Sequence, residues 1–428
     1  MNFPCNCTGW PFVAALAVSV LALPRVAGAL SLDEALRLAE LNAPSLSAQA
    51  AKLTAATNAA VPAGELPDPK LKLGLQNYPI GGPDRWSVND DFMTMQMVGV
   101  MQEVPNRDKR NARVEVAQAA VERAAAEGRV EHLKVRLATA SAWIRRYSIE
   151  RKEALFQSFY EENRLLAQTV RAQIAGGRAL PAEAVVPKQE AALLEEQQDE
   201  LESLRIQSRA ALTRWVGPAA NQEPTGRLPS WPINTSVTAY THTLEHHPAL
   251  AAYAPMTREA QAKVHEAKAQ KQSDWSWEVA YQHRDRQFGD MVSVQFSLDL
   301  PLFPESRQNP TIAARYAELN QLQAEREDQL REHTQQLQDS LADYQRLSRT
   351  VQRGQQTLVP LAEEAGRKLR DFDPPDLASP AAQQLIAAAF RLKQLLLIEL
   401  VFTLFALFAF GKRIGHVFAP SGFTRVTP

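Results

Sequence analysis

The sequence predicts a mixed, mainly α-helical fold in which long helical hairpins alternate with short amphipathic β-hairpins. Three observations lead to this prediction: long helical stretches with coiled-coil spacing, four strand-like segments, and the same order of elements occurring twice. The chain has 428 residues, with 47 Lys and Arg against 48 Asp and Glu. This balance argues against a nucleic-acid-binding protein, which usually has a basic face. The mean hydropathy of −0.29 excludes a bundle of many membrane helices. It does not exclude a membrane β-barrel, whose strands are only half apolar.

Residues 1–29 are predicted to be a signal peptide. The run from Trp10 to Leu23 is almost wholly apolar, and Ala27-Gly28-Ala29 has the small-x-small pattern of a cleavage site. No Lys or Arg precedes the apolar run, so a buried N-terminal helix stays open as an alternative. Cys5 and Cys7 are the two cysteines of the chain, and cleavage before Leu30 would remove both. A disulfide framework is therefore excluded.

The body of the chain is predicted to follow one plan twice, as an internal tandem duplication. The predicted segments are a first repeat at 30–217 (helix, β-hairpin 70–104, long helical hairpin), a linker at 218–236, and a second repeat at 237–370 (helix, β-hairpin 275–302, long helix). Pro44 and Pro248 each follow a short amphipathic helix and lie 204 residues apart. That period is far too long for a solenoid.

The predicted strands have one apolar and one polar face. Alternation is complete in Val292–Leu300, and Lys70–Gln76 and Trp275–Gln282 share it. In a membrane barrel the apolar face meets lipid and the polar face meets a water-filled lumen. The candidates for the lumen side, chosen by alternation, are Lys72, Gln76, Gln295 and Asp299.

Four strands cannot close a membrane barrel, and open sheet edges are not tolerated in lipid. The chain is therefore expected to form a homo-oligomer. Two chains would supply eight strands, which leave little lumen, and three chains would supply twelve.

The long helices predict a second, helical body. Residues 106–174 contain no proline, and at 1.5 Å per residue they would form a helix of about 100 Å. Leucine and other apolar residues from Leu133 to Tyr147 step by four and three, as in coiled coils. Gly176-Gly177 is expected to end this helix, and a returning helix is expected from about Ala182 to Trp215, kinked at Pro187. A second long helix is expected from about Pro310 to Leu369.

Three stretches carry a specific resemblance to a known family. They are FMTMQMVGVMQEVPNRDKR at Phe92–Arg110, LDLPLFP at Leu298–Pro304 and LTRWVG at Leu212–Gly217. In these stretches and in its arrangement, from Ser31 to Leu369, the chain resembles the TolC-like outer-membrane efflux family. The first stretch is similar to the heavy-metal branch, which includes the outer channels of cobalt–zinc–cadmium and copper exporters.

This resemblance implies a homotrimer in the outer membrane, with a twelve-stranded β-barrel that a long periplasmic α-barrel continues. It implies no enzyme activity and no cofactor, and no catalytic constellation stands out in the sequence. The implied partners are outer-membrane lipid, a periplasmic adaptor protein and an inner-membrane pump of the RND type that supplies the energy. The turn at Gly176, Gly177 and Arg178 resembles the helical tip that meets the adaptor, although an ordinary glycine helix stop remains the alternative.

Residues 371–428 depart from the family. The family would send back a last helix near residue 370, but here Arg370–Pro375 is followed by an apolar run, Leu395–Phe410, that contains Glu399. A frameshifted or truncated gene, a diverged last helix and a membrane anchor remain open. A non-functional remnant of the family is therefore one alternative function. A periplasmic coiled-coil adaptor, which also has a long helical hairpin, is another.

Two sets of residues resemble metal ligands. Met93, Met95, Met97 and Met101 share one strand parity, and thioethers suit Cu(I). Because Thr94, Gln96 and Gln102 have the opposite parity, the methionine face is expected to meet lipid. His242, His246 and His247 have a spacing that could hold zinc. Glu245 is the one carboxylate beside them, so an ordinary helix end is favoured and no metal site is predicted.

Overall fold

The computed structural model describes residues 29–226, 236–285 and 289–361, together with Glu364. The predicted signal peptide up to residue 28, residues 227–235 of the predicted linker and the tail at 371–428 lie outside the described residues. Helices dominate the described chain, and four strands form one sheet. The elements are α1 Leu32–Asn42, α2 Pro44–Ala60, β1 Lys70–Gln76, β2 Met95–Val104, α3 Arg107–Ala175, α4 Val186–Val216, α5 Thr238–Leu244, α6 Pro248–Ala251, α7 Tyr253–Ala269, β3 Trp275–His283, β4 Met291–Leu298 and α8 Gln308–Arg353.

Helix α1 begins where Ser31 accepts a hydrogen bond from the Glu34 N–H at 3.2 Å, an N-cap. Its apolar stripe, which includes Leu32 and Leu36, is buried against α3 and α4. At the centre of this core, the indole of Trp143 donates to the Leu30 carbonyl at 2.9 Å. The start of the described chain is thereby held to the middle of the long helix.

Helix α3 has 69 residues and is capped by Asn106, whose side chain accepts from the Asp108 N–H at 2.8 Å. It extends for about 100 Å. Its distal part packs on α4 through a buried cluster that includes Phe156, Phe159 and Leu194. Helices α3 and α4 therefore form a long helical hairpin.

The returning helix differs from its prediction at the start. Residues Pro181–Val185 form a 3-10 turn, and α4 begins at Val186. Pro187 was expected to kink this helix. It lies instead in the first turn of α4. A missing N–H costs nothing there, because the first N–H groups of a helix have no partner within the helix.

In the second half, α7 packs on α8. A smaller core joins α5 and α6 to α8 through Leu244, Leu250, Leu337 and Leu341. Helix α8 was expected to run regularly to Leu369. It is regular to Arg353 and then widens into a π-helical turn at Gly354–Leu358. The remainder of that predicted helix lies largely outside the described residues.

The sheet is antiparallel throughout, in the order β1-β2-β3-β4. Both predicted β-hairpins are present, although β4 ends at Leu298 and the predicted hairpin extended to 302. Strand β2 pairs with β3 from Gln96↔His283 to Val104↔Trp275, which joins the two halves of the chain. Among the described helices, none combines the length and the apolar character that a membrane crossing requires.

The junction of sheet and helices is held by one carboxylate. Asp274, just before β3, accepts from the Asn106 N–H at 2.7 Å and from Lys109 Nζ at 2.8 Å. Its own carbonyl accepts from the Asp299 N–H at 2.8 Å. Burial opposes ionisation of Asp274, but the hydrogen bonds from Lys109 and Asn106 outweigh it and lower the pKa of the carboxyl. A single charged side chain thus fixes where both hairpins leave the helical body.

Candidate functional site

Strand register divides the sheet into two faces, since directly paired residues point to the same side. The apolar face carries Leu71, Leu73 and Val98 together with Tyr281, Val294 and Phe296. It is exposed: the side chains of Leu73 and Phe296 are 69% and 71% accessible. A continuous exposed apolar surface of this kind marks a contact with lipid or another protein.

The polar face is the more buried one. Ala280 and Gln282 on β3 are 1% and 7% exposed. A Cβ on Gly99 would lie only 2.8 Å from the Ala280 Cβ, so β2 and β3 approach closely on this side. The sheet therefore has its small and polar residues on the crowded side and its large apolar residues on the open side.

Polar side chains link the strands across this face. Lys72 forms an ion pair with Glu278, across the intervening strand β2. Gln282 Nε2 donates to Gln76 Oε1 at 3.3 Å and to Ser293 Oγ at 3.1 Å. The polar groups of this face are therefore paired with one another across the strands.

The structure places the four residues expected to face a lumen on the polar side of the sheet or at its end. Lys72 and Gln76 lie on β1. Gln295 lies on β4 and pairs with Glu278 of β3. Asp299 lies one residue beyond β4. Their common side follows from strand parity. That this side borders a lumen remains a prediction.

The interpretation of the methionines was wrong. Met97 pairs with Gly74 and Gln282, and Met95 pairs with Gln76, so both lie on the polar face with Met101. Gln76 Nε2 approaches the Met97 sulfur at 3.2 Å. The error arose because both parities of β2 mix polar and apolar residues. Only the pairing with the neighbouring strands determines which face of the sheet each residue of β2 joins.

Met93 lies before β2, in the connection between the strands, and is 45% exposed. It therefore does not share the strand face of the other three methionines. The signal that sequence reasoning missed is Met291, the first residue of β4, which falls on the polar face in the same cross-strand row as Met97.

The predicted helical tip is an exposed turn. Helix α3 ends at Ala175, and Gly177 has a φ of +69°, a left-handed conformation that glycine adopts without strain. The Arg178 N–H donates to the Gln173 carbonyl at 2.8 Å and closes the turn. Gly176, Gly177 and Arg178 are all exposed. The turn is therefore open to a partner, and the adaptor contact itself stays a prediction.

Of the three histidines with a zinc-like spacing, the side chains of His246 and His247 are described, and they lie in different surroundings. His246 is exposed, and the side chain of His242 lies outside the described residues. His247 instead packs against His333 of α8, with ring centroids 4.7 Å apart. No group of three or more His, Cys, Asp or Glu suited to a metal occurs in the described part of the chain.

His247 has a structural role. Its Nδ1 accepts from the Ala249 N–H at 3.3 Å and caps α6, while the ring is only 7% exposed. Burial, and to a lesser degree the charge of a neighbouring His333 imidazolium, lower the pKa of His247 to about 4. The sequence contains no signal for this pair, because 86 residues separate its members.

Comparison with solved structures identifies the fold. A membrane protein from Pseudomonas aeruginosa matches with a TM-score of 0.76 at 16% identity, over 90% of each chain. The outer membrane protein VceC from Vibrio cholerae matches with a TM-score of 0.68 at 19% identity, over 89% of this chain and 96% of that one. The outer-membrane channel OprN matches with a TM-score of 0.73 at 14% identity, over 90% and 89%.

No protein-family model matches the sequence, and no curated protein matches it. At these identities the structural likeness establishes the fold alone. The chain has the fold of outer-membrane channels, as the resemblance in its sequence implied.

Proposed function

We propose that this chain is the exit duct of a tripartite efflux system, a non-enzymatic channel through which substrate crosses the outer membrane passively. The duct is a homotrimer, in which three copies of the four strands close a twelve-stranded barrel and the long helices form a periplasmic α-barrel. The shared fold with solved outer-membrane channels supports this proposal. So does the repeated order of helices and hairpins, which we attribute to an internal tandem duplication.

The observation that carries the proposal is the inverted polarity of the sheet. In a water-soluble sheet the apolar face is covered and the polar face is wet. Here Leu73 and Phe296 are exposed, whereas Gln282 is buried. Lipid around the apolar face and water along the polar face would suit both sides.

The two edges of the sheet require the oligomer. Strands β1 and β4 each have one neighbour, and an open edge leaves unpaired backbone groups that lipid cannot satisfy. Pairing β4 of one copy with β1 of the next removes every edge. On this model Lys72, Gln76, Gln295 and Asp299 line the lumen.

The partners are a periplasmic adaptor at the tip Gly176–Arg178 and an inner-membrane RND pump. The substrate class is heavy-metal cations or drugs, which the pump selects. A periplasmic adaptor protein is disfavoured for this chain, because a long helical hairpin serves that role without an exposed apolar sheet. A non-functional remnant would retain the fold but fail to assemble.

Assembly and conductance test the proposal together. The full chain is expected to be extracted from outer membranes as a heat-labile trimer and to conduct ions when reconstituted into planar bilayers. A variant with Leu73→Glu should fail to insert, because an acidic side chain on a lipid face is costly. A soluble periplasmic monomer would refute the duct, and a membrane-bound monomer without conductance would favour the remnant.

A second experiment tests the tip. Arg178→Ala is expected to abolish co-purification with a periplasmic adaptor and pump that are expressed in the same cell, while trimer yield stays unchanged. Arg171→Ala is the matched control, since Arg171 is also exposed and lies two turns from the tip on α3. Equal co-purification of both variants would remove the tip from the adaptor interface.

A further inference from the structure

The predicted signal-peptide cleavage site coincides with the point where the chain enters its helical core. Ala29 is exposed, whereas Leu30, the next residue, is 0% exposed. The ends of a protein chain are usually poorly ordered unless other groups hold them. A chain cleaved after Ala29 would therefore begin with a residue that is fully buried.

Three hydrogen bonds hold the backbone of Leu30. Its N–H donates to the Glu223 carbonyl at 3.0 Å, and its carbonyl accepts from the Thr225 N–H at 3.2 Å. The same carbonyl accepts from Trp143 Nε1 at 2.9 Å, and this indole is 1% exposed. Leu30 thus pairs in parallel with the segment around Pro224 and fastens that segment to α3.

Cleavage would change the chemical character of the first of these bonds. Water attacks the Ala29 carbonyl, the bond from that carbon to the Leu30 nitrogen breaks, and the acid formed on Ala29 gives its proton to the new amine. The product on Leu30 is an α-ammonium at neutral pH. One of its N–H groups keeps the bond to the Glu223 carbonyl, and the others take the exposed direction that Ala29 occupied. A charge-assisted hydrogen bond is about twice as strong as a neutral one, so cleavage strengthens this contact.

The charges near this point favour a cation. In the described part of the chain, Glu150 Oε2 is buried without a hydrogen-bond partner. Burial raises the pKa of the Glu150 carboxyl, and the negative charge of Glu223 raises it further, while Arg146 opposes both effects. A positive charge at Leu30, which is bonded to the Glu223 backbone, would offset the repulsion between these two carboxylates.

We propose that the α-ammonium group of Leu30, formed by cleavage after Ala29, is a structural group that docks on the Glu223 carbonyl and closes the core of α1, α3 and α4. A peptidase needs an accessible, extended segment, so the bond before Leu30 is out of its reach once this residue is buried. Cleavage therefore precedes folding of this core. Docking of Leu30 does not depend on the proposed channel function.

An aminopeptidase tests the docking, because it removes the first residue of a chain only when that residue is accessible. The full chain is expressed with its predicted signal peptide, and mass spectrometry of the purified protein should show a chain that begins at Leu30. Leucine aminopeptidase should release Leu30 from the folded protein at least about a hundredfold more slowly than from a synthetic peptide of residues 30–42. This ratio corresponds to a local opening free energy of about 2.8 kcal/mol.

Two matched substitutions test the indole bond. Trp143→Phe keeps an aromatic ring in the core but removes the donor to the Leu30 carbonyl, and release of Leu30 should become at least about tenfold faster. Trp215→Phe is the control, since Trp215 packs on the same core from α4 and, in the described part of the chain, is not bonded to Leu30. It should leave the rate of release unchanged.

An insertion tests the ammonium itself and remains decisive if Trp143→Phe does not fold. One valine placed between Ala29 and Leu30 turns the Leu30 nitrogen of the cleaved chain into a neutral amide. The aminopeptidase should remove this valine and stop at Leu30. Hydrogen exchange at the Thr225 amide should then become about fivefold slower than before trimming, because the trimmed chain regains the charge-assisted bond.

Release of Leu30 from the folded wild type at the peptide rate, or trimming that continues past Leu30 in the insertion variant, would overturn the docking. A purified chain that begins at another residue would do the same. Equal exchange before and after trimming would show that the bond needs no charge and would remove the role of the ammonium. Protection of Leu30 in a chain that neither trimerises nor conducts would refute the duct and leave the docking standing, so the two proposals fail separately.

Discussion

His247 is expected to make the unfolding free energy of this chain depend on pH between about 4 and 6.5. The pKa of His247 is about 4 in the folded chain and 6.5 in the reference state. In this interval the unfolded chain binds a proton that the folded chain excludes. The contribution is therefore fully present above pH 6.5 and is lost as pH falls towards 4.

The magnitude follows from these two values. Between pH 7 and pH 5, proton uptake at this one site should lower the free energy of unfolding by about 2 kcal/mol. His247 is 7% exposed, so water screens the charge of its imidazolium only weakly. The group that faces it from α8 is His333, whose Nε2 is buried without a hydrogen-bond partner.

The perturbation is His247→Asn, which keeps a side-chain acceptor at the N-cap of α6 but cannot titrate. Urea unfolding followed by circular dichroism at pH 7 and pH 5, at equal protein concentration, measures the effect. The wild type should lose about 2 kcal/mol more than the variant on acidification. Hydrogen exchange at the α6 amides provides the local measurement, since these should open first.

His265→Gln is the control, because that imidazole is 60% exposed, beside Glu115, and retains contact with water when folded. It should show the acid response of the wild type. If His247→Asn and the wild type lose equal stability between pH 7 and pH 5, the assignment of the response to the buried ring is wrong.

Three further substitutions test the sheet and its junction. Gly99→Ala should cost about 1–3 kcal/mol and reduce trimer yield, because the new Cβ would meet the Ala280 Cβ at 2.8 Å. Gly74→Ala should cost less than about 1 kcal/mol, because its new Cβ would lie at an ordinary 3.6 Å from the Met97 methyl group. Alanine also lowers the conformational entropy of the unfolded chain, which partly offsets this cost. Thermal unfolding of both distinguishes crowding from a general effect of glycine loss. Removing one partner of a fully buried ion pair costs about 3–5 kcal/mol. Lys109→Met should destabilise the junction by less than this, because the Asp274 side chain is 28% exposed. Proteolysis at the sheet–helix junction measures it, and an unchanged cleavage rate would contradict the role of the pair.

Regular elements were well predicted from the sequence because their periods are local. The long helix expected at 106–174 is α3 at Arg107–Ala175, and the turn expected at Gly176-Gly177 is present. Both hairpins were found within a few residues, since alternation with period two identifies a strand without knowledge of its neighbours. Pro187 was misplaced because a proline in the first turn and one inside a helix look alike in sequence.

The candidate site depended on information that no local pattern contains. Alternation assigns the residues of β2 to two sides, but pairing with β1 and β3 decides which side is polar. That pairing moved Met95 and Met97 from the expected lipid face to the polar face. Met291 joined them from nearly 200 residues further along the chain.

What the sequence by itself determined about this protein is its list of elements, their lengths and the two-sided character of its strands, all of which are properties of neighbouring residues. Tertiary structure alone decided the register between β2 and β3, the contact of Asp274 with Lys109 and the burial of His247 against His333. The physical reason is that these features depend on which surfaces meet. Burial and hydrogen bonding between distant segments choose among faces that are locally equivalent.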